Sequence, residues 1–336
     1  MARNLRFRIH DGWWTRTDRH SKAYYPQCLF LRGDTLKDAH GREVTSLRIS
    51  VTQRCNLKCF YCHREGETSP SGEMTPEEIG RLVAIAESLG MRKLKITGGE
   101  PLLRDDIVEV VSACNPHMKE VSITTNGILL KEKATDLLEA GMDRVNVSLD
   151  TVDPDTYGKI TGVDALPSVL AGIEEAVSVG LTPVKLNMVL MKGINEDQVE
   201  QMIQLAGEKD VILQIIELET SREKINSGFY SRHHCDMGEI EASLRSRAER
   251  VVSRKMHHRM KYFLPTEVEV VRPMHNAEFC QNCNRLRITS DGLLKPCLLS
   301  SDGTLDVLSP MRAGASDQEI AELFKRVIQK RVPYWA

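Results

Sequence analysis

No apolar run in this chain is long enough to span a bilayer, which excludes a helical membrane anchor. Its first residues, Met-Ala-Arg-Asn-Leu-Arg, lack the continuous apolar core of a secretory signal, so a cytoplasmic location is expected. Neither sign of charge dominates. The 45 Lys and Arg against 47 Asp and Glu leave a net charge of −2, giving no electrostatic reason to expect a nucleic-acid partner. Internal repeats and low-complexity linkers are missing as well. What is present is a globular composition, 41% apolar and 27% charged, in 336 residues. That length suffices for a full-size α/β domain and a smaller second one.

Cysteine is where the sequence departs from the ordinary. There are nine, an odd number, and six fall in two tight groups. In a reducing compartment such grouping suggests metal ligands rather than disulfides. Cys28, Cys114 and Cys235 stand apart and read as packed or surface thiols, because free cysteine behaves as a small hydrophobe. The first group, Cys55-Asn56-Leu57-Lys58-Cys59-Phe60-Tyr61-Cys62, has CxxxCxxC spacing. Soft thiolates favour zinc, copper(I) or iron–sulfur clusters. A closed structural zinc site needs four ligands, and this string supplies three. On a four-iron cluster, three thiolates would leave one iron open to a small molecule. Half of a zinc site completed elsewhere is the competing reading.

Strand-like and helix-like segments alternate from about residue 45 to about 217. Ser46–Thr52, Arg92–Thr97, Val121–Thr125, Arg144–Leu149, Pro183–Leu190 and Val211–Glu217 are rich in Val, Ile, Leu and Thr and read as strands. The clearest helix starts at Thr75-Pro76-Glu77-Glu78, with a capping box and an N-terminal proline, and stops at Gly90. Leu166–Gly180 and Asn195–Gly207 read similarly. Six β–α units in series imply a parallel sheet that right-handed crossovers curl toward a barrel, short of the eight units of a closed one. After residue 220 the pattern changes. Asp236–Arg247 reads as a helix, Tyr262–Val271 as a strand or hairpin, and Ser316–Lys330 as a closing helix. The basic run Arg245–Lys261, with His257-His258, reads as a solvated face. Residues 1–37, including Trp13-Trp14 and Tyr24-Tyr25, show no clear periodicity. The expected division is therefore an extension at 1–37, a partial barrel at 38–225 and a smaller α+β region at 226–336.

The first cysteine group follows directly on the strand ending Ile49-Ser50-Val51-Thr52, at the mouth where barrel enzymes do their chemistry. Thr97-Gly98-Gly99-Glu100-Pro101 ends the second strand; its glycines allow close approach of backbone to a ligand, and Glu100 can accept from an ammonium group. Ser148 ends the fourth. CxxxCxxC with Tyr61 before its last cysteine, followed one β–α unit later by Gly-Gly-Glu, resembles the radical S-adenosylmethionine (SAM) superfamily. The resemblance implies an α/β fold with a partial (βα)6 TIM-like barrel. It implies that Cys55, Cys59 and Cys62 hold a 4Fe-4S cluster and that Tyr61, Gly99, Glu100 and Ser148 contact SAM. One electron from such a cluster would cleave SAM to a 5′-deoxyadenosyl radical, while the protein orients substrate and excludes water.

The second group runs Phe279-Cys280-Gln281-Asn282-Cys283-Asn284-Arg285-Leu286-Arg287, then Asp291-Gly292 and Cys297. Taken alone, a zinc ribbon completed by His257, His258 or His275 is a natural reading. The whole string resembles the C-terminal signature of the GTP 3′,8-cyclases of molybdenum-cofactor biosynthesis. That resemblance extends from about His40 to about Lys330. It implies a second 4Fe-4S cluster on Cys280, Cys283 and Cys297, carried by the α+β region, whose open iron binds guanine. Arg285 and Arg287 would hold the triphosphate, with Leu286 between them, and guanidinium forks suit phosphate oxygens. Arg48, Lys95, Thr124 and Lys185 match further GTP contacts. The implied product, a cyclic dehydro-GTP, would pass to a synthase making cyclic pyranopterin monophosphate. A cellular one-electron reductant is also implied, and a homodimer is compatible with this reading.

The sequence departs from the family pattern at several positions. Lys95 and Gln214 stand where arginines are usual, and Glu219 replaces a methionine near SAM. The family's usual C-terminal Gly-Gly tail is missing from a sequence that ends Pro333-Tyr334-Trp335-Ala336, so either another segment substitutes or the activity differs, and a divergent member of the family is expected over a new reaction. Two rivals follow. A peptide-modifying radical SAM enzyme with an auxiliary cluster would have no use for paired phosphate ligands at Arg285 and Arg287. A non-catalytic metal protein that binds a nucleotide would need no open iron.

Overall fold

Six segments with alternating apolar side chains become parallel strands: β1 (Ser46–Ser50), β2 (Lys93–Thr97), β3 (Glu120–Thr125), β4 (Arg144–Ser148), β5 (Val184–Leu190) and β6 (Ile212–Glu217). The structure, a computed structural model, describes residues 36–67 and 72–336, together with the backbone of 8–10 and 13–15. Leu47, Ile49, Leu94, Ile96, Val121, Ile123, Val145 and Val147 are buried in the main core. Their neighbours Arg48, Lys95, Thr124 and Asn146 take the opposite face, as a two-residue period requires.

Helices α1 (Pro76–Ser88), α2 (Ile107–Cys114), α3 (Leu130–Glu139), α4 (Pro154–Thr161), α5 (Leu166–Ser178) and α6 (Val199–Glu208) supply the crossovers. The expected capping box closes at α1. Thr75 Oγ1 accepts from Glu78 N at 3.3 Å, and Glu78 Oε2 accepts from Thr75 N at 2.9 Å. Such a cap stabilises by about 1 kcal/mol. The helix expected over Asn195–Gly207 divides into a 3-10 turn, Glu196–Gln198, and α6.

Beyond residue 225 come α7 (Gly228–His233), α8 (Met237–Arg247), β7 (Arg250–Ser253), β8 (Met260–Phe263), β9 (Glu267–Val271), α9 (Ala277–Gln281), β10 (Arg285–Ile288), β11 (Leu293–Lys295), β12 (Leu305–Asp306), α10 (Leu308–Arg312) and α11 (Asp317–Gln329). The strand order is β12-β11-β10-β1-β2-β3-β4-β5-β6-β9-β8-β7. β10 lies parallel to β1, and β9 parallel to β6. The C-terminal region thus extends the barrel sheet at both flanks instead of building a sheet of its own. Arg287 sits in register with Arg48, and Arg48 with Lys95, forming a cationic row across three strands.

Segment 274–284 crosses the open side of the curled sheet. At its start Met274 N donates to Glu217, the last residue of β6, at 3.0 Å. At its end Asn284 O accepts from Thr45 N and Ser46 N at 3.1 and 3.2 Å, at the start of β1. It therefore runs from the C-terminal mouth to the opposite end, carrying Cys280 and Cys283.

Residues Arg32–Ala336 form one compact unit and Met1–Leu31 another, in which Arg8–His10 pairs antiparallel with Trp13–Thr15. The remainder of the extension to residue 35, with Cys28 and Tyr24-Tyr25, lies outside the described residues. Among the described residues, no helix is long and apolar enough to cross a membrane.

Candidate active site

The loop leaving β1 carries the first three thiols, with Cys55 and Cys62 exposed and Cys59 partly buried. The charge of Cys62 opposes ionisation of Cys55, and those of Cys62 and Cys55 oppose ionisation of Cys59. Burial pushes Cys59 up to about 12, with the Asp150 carboxylate adding to the rise. A metal taken here displaces protons. Leu57 N and Arg64 N donate to Cys55 Sγ and Cys62 Sγ, each at 3.4 Å, as sulfurs of an iron–sulfur site commonly accept.

The Gly-Gly-Glu turn acts first on the protein itself. A Cβ on Gly99 would stand 2.3 Å from Arg54 O, and one on Gly98 would stand 2.5 Å from Thr52 O. The close approach that these glycines permit is to the backbone entering the cysteine loop, where the sequence suggested approach to a ligand. Gly99 N and Glu100 N then bond Thr52 O and Arg54 O, both at 2.7 Å. Glu100 is wholly buried and accepts from Leu102 N, Thr125 Oγ1 and Asn126 N at 2.9, 2.7 and 2.6 Å. Burial outweighs those bonds and raises its carboxyl to about 7. Tyr61 donates to Asp150 at 2.6 Å, fixing the aromatic ring beside the thiols. Asp150 also accepts from Val189 N at 2.8 Å, and burial raises it to about 6. Ser148, partly buried, ends β4 two residues before Asp150.

The second triplet is gripped from behind. Arg42 Nη1 donates to Cys280 O and Arg331 Nη2 to Cys283 O, each at 2.8 Å. Both arginines share buried Asp38 Oδ2, at 2.7 and 2.8 Å. Burial opposes ionisation of Cys283, but Arg331, the Arg285 N–H, the Arg285 side chain and Arg42 outweigh it, favouring thiolate. Cys280 and Cys297 each sense the charge of Cys283. Trp335 N donates to Cys280 Sγ at 3.3 Å, so the Tyr334-Trp335 end packs against this triplet. Six thiols in two mutually interacting sets, several accepting N–H bonds, fit two clusters.

Between the triplets the barrel face is cationic. Burial lowers Arg285, and Arg48, Arg259 and Arg287 press it lower. Lys95 falls well below the usual lysine range for the same reasons, burial first and then Arg144, Arg48 and Arg285; its Nζ donates to Asn146 Oδ1 at 2.7 Å. Two carboxylates oppose this field most directly. Glu269, fully buried, takes Lys185, Gln214 and Arg254 at 2.9, 2.8 and 2.9 Å, and Arg259 lies 3.2 Å away. Lys185 therefore has a protein partner before any phosphate arrives. Arg254 and Arg259 likewise turn inward from a run expected to be a solvated face, and Gln214 faces the same carboxylate. Glu65 takes Arg287 at 2.7 Å and Arg48 at 3.4 Å. Although burial acts the other way, these arginines hold Glu65 down to about 2. Glu219 lies close enough to favour the charged form of Arg48.

Thr124 is partly buried on the polar face, whereas the Leu286 side chain is fully buried in the core. Any contact of Leu286 with substrate is left to its peptide group. Glu65, Asp150 and Glu269 escaped the sequence reading because each acts on residues distant in the chain. Glu65 stands where an incoming phosphate would meet Arg48 and Arg287. Glu65→Gln should therefore tighten binding of a polyphosphate nucleotide several-fold at low salt, by removing a like charge. Nucleotide titrations at two ionic strengths check this; weaker binding would mean that Glu65 instead orients the arginines.

Known proteins resemble this chain in sequence and in fold. A model of the radical SAM superfamily matches residues 49–206, and one described as Molybdenum Cofactor Synthesis C matches 211–336. A protein of Thermococcus kodakarensis named "Probable GTP 3',8-cyclase" is 53% identical, covering 89% of this chain and 99% of its own length. Relatives with the same name in Pyrococcus abyssi and Methanothermobacter thermautotrophicus are 51% and 48% identical, each over 89% of this chain and 99% of the relative. Among solved structures, Streptococcus suis SuiB bound to S-adenosylmethionine aligns with a TM-score of 0.62 at 18% identity, over 80% of this chain and 65% of that one. Methylornithine synthase (PylB) gives 0.54 at 14%, over 84% and 86%. The structures establish only the shared fold, a partial TIM-like barrel. With the thiol triplets and the sequence relatives, the conclusion is that this chain belongs to the GTP 3′,8-cyclase family of the radical SAM superfamily.

Proposed function

We propose that the chain is a GTP 3′,8-cyclase, converting GTP to (8S)-3′,8-cyclo-7,8-dihydroguanosine 5′-triphosphate in molybdenum-cofactor biosynthesis. The observation that carries this reading is the partly buried cationic row Arg287–Arg48–Lys95, with Arg285 beside it, between two sets of thiols. Like charges crowded under burial are costly until an anion of high charge arrives. A triphosphate supplies that charge, and a guanine beside it reaches the second triplet.

Cys55, Cys59 and Cys62 hold the first 4Fe-4S cluster, and Cys280, Cys283 and Cys297 hold the second. With SAM bound and one electron delivered by the cellular reductant, a cluster held by Cys55, Cys59 and Cys62 would supply radical chemistry at the ribose of GTP. Tyr61, Gly99, Glu100 and Ser148 form the SAM side of the site, where Glu100 offers negative charge beside Cys55 to an ammonium group. Arg48, Lys95, Thr124, Lys185, Arg285 and Arg287, with the peptide of Leu286, form the GTP side. Holding both ligands side by side would orient the reacting carbon and keep water from it. A cellular one-electron reductant and a downstream cyclic pyranopterin monophosphate synthase complete the expected partners. Residues 38–225 supply the SAM side and part of the GTP side, and 226–336 supply the second thiol triplet with Arg285 and Arg287, although both share one sheet.

The test is anaerobic. The reconstituted protein receives SAM and dithionite, and 5′-deoxyadenosine is quantified with and without GTP. Strong stimulation by GTP, with a product of GTP mass that converts to a pterin, is expected. SAM cleavage indifferent to GTP would discard the substrate and favour a peptide-modifying radical SAM enzyme.

A further inference from the structure

His257 occupies the short turn Met256–His258 between β7 and β8, beside the segment that carries the second thiol triplet. Its backbone lies at φ +63°, a left-handed conformation that a residue with a side chain adopts only when its surroundings hold it there. The hold is visible. His257 N donates to Asn282 O at 3.1 Å, and the ring stacks on Phe279 with centroids 3.8 Å apart and planes 26° apart. The side chain is only 3% exposed, yet neither ring nitrogen has a hydrogen-bond partner. Leaving two buried polar atoms unsatisfied is unfavourable, and native structures do so rarely.

The charges that act most strongly on this ring are cations: Arg285 and Arg287 from β10, Arg48 from β1 and Arg259 just before β8, with the carboxylates of Glu65 and Glu269 lying beyond them against the same arginines. A ring in that field stays neutral, with one N–H donor and one acceptor nitrogen. An anion seated among those same arginines would be an acceptor for the idle N–H. We infer that His257 is a substrate-positioning residue whose ring donates a hydrogen bond to a phosphate oxygen of the bound nucleotide, an inference that rests on the nucleotide reading above. The ring belongs to the phosphate rather than the base because its four cationic neighbours are the groups that would collect phosphate. Phe279 and the tight turn fix its direction before the nucleotide arrives, so little side-chain freedom is lost on binding.

The experiment compares equilibrium binding of GTP and of guanosine to the anaerobically reconstituted protein and to His257→Phe, which keeps the stack on Phe279 and removes both nitrogens. Affinity for GTP should fall about tenfold or more, while guanosine binding and GTP-independent SAM cleavage stay as in the parent protein. Equal loss for GTP and guanosine would make the ring structural and overturn the inference, as would unchanged GTP binding. Should the phenylalanine variant fail to load its clusters, His257→Met and His257→Gln replace it. The glutamine, which keeps a donor, should then bind GTP much more tightly than the methionine, and equality of the two would overturn the inference. Absence of GTP binding by the parent protein is a different result, which removes the nucleotide reading itself.

Discussion

Replacing Arg285 or Arg287 with alanine is expected to weaken GTP binding thirtyfold or more while leaving GTP-independent cleavage of SAM intact. Truncating one member of a desolvated, charge-assisted contact costs roughly 2–5 kcal/mol. Both arginines lie on the strand that joins the second thiol triplet to β1, and both crowd Arg48. The two variants should differ in one respect. Arg287 also neutralises Glu65, so its loss leaves that carboxylate with Arg48 as its remaining close guanidinium partner. Arg287→Ala should therefore gain more from added salt, or from a second change at Glu65, than Arg285→Ala does. The measurement is a GTP titration alongside 5′-deoxyadenosine counting without GTP. Equal loss of uncoupled SAM cleavage in both variants would show that the arginines support the fold instead of the substrate.

A second large effect is expected at Arg331. Its side chain is 1% exposed and bridges Asp38 to the carbonyl of Cys283, while Arg42 bridges the same Asp38 to the carbonyl of Cys280. Breaking a buried ion pair from one side typically costs 3–5 kcal/mol, because the remaining charge stays buried. Arg331→Ala should lower thermal stability markedly and loosen the second triplet, which also loses the positive charge favouring its Cys283 thiolate. Iron content should drop by about half, with SAM still bound at the first site. Full iron loading together with unchanged stability would show that the Asp38 network is dispensable.

Much of the fold could be read locally. The six barrel strands were legible because Val, Ile and Leu alternate with polar residues inside short stretches. The start of α1 was legible because Thr75 and Glu78 satisfy each other within one turn. The alternating arginines of Arg-Leu-Arg-Ile read as an extended segment, but the pairing of β10 with β1 was not legible, because it depends on the edge that β1 offers from far away in the chain. The site divides in the same way. Cysteine spacing and Gly-Gly-Glu are local signals. The partnerships Tyr61–Asp150, Glu65–Arg287 and Lys185–Glu269 join residues 89, 222 and 84 positions apart. No window of sequence shows such pairs. Gln214 is an instructive case: set against a family arginine it looks like a loss, but here it donates to a carboxylate already shared by Lys185, Arg254 and Arg259.

The position of β10 also bears on how the chain is made. β1 leaves the ribosome early, but the residues that cover its outer edge follow much later; Thr45 and Asn284, bonded at the foot of these strands, are 239 positions apart. At ordinary synthesis rates of about 5–20 residues per second, that edge waits roughly 10–50 s for its neighbour. An uncovered strand edge is a template for pairing with another chain, and closure over so long a separation is slow. The nascent barrel should therefore depend on chaperone cover until the segment that carries the second set of thiols has emerged. Synthesis arrested before residue 285 should yield aggregate rather than a working half-enzyme.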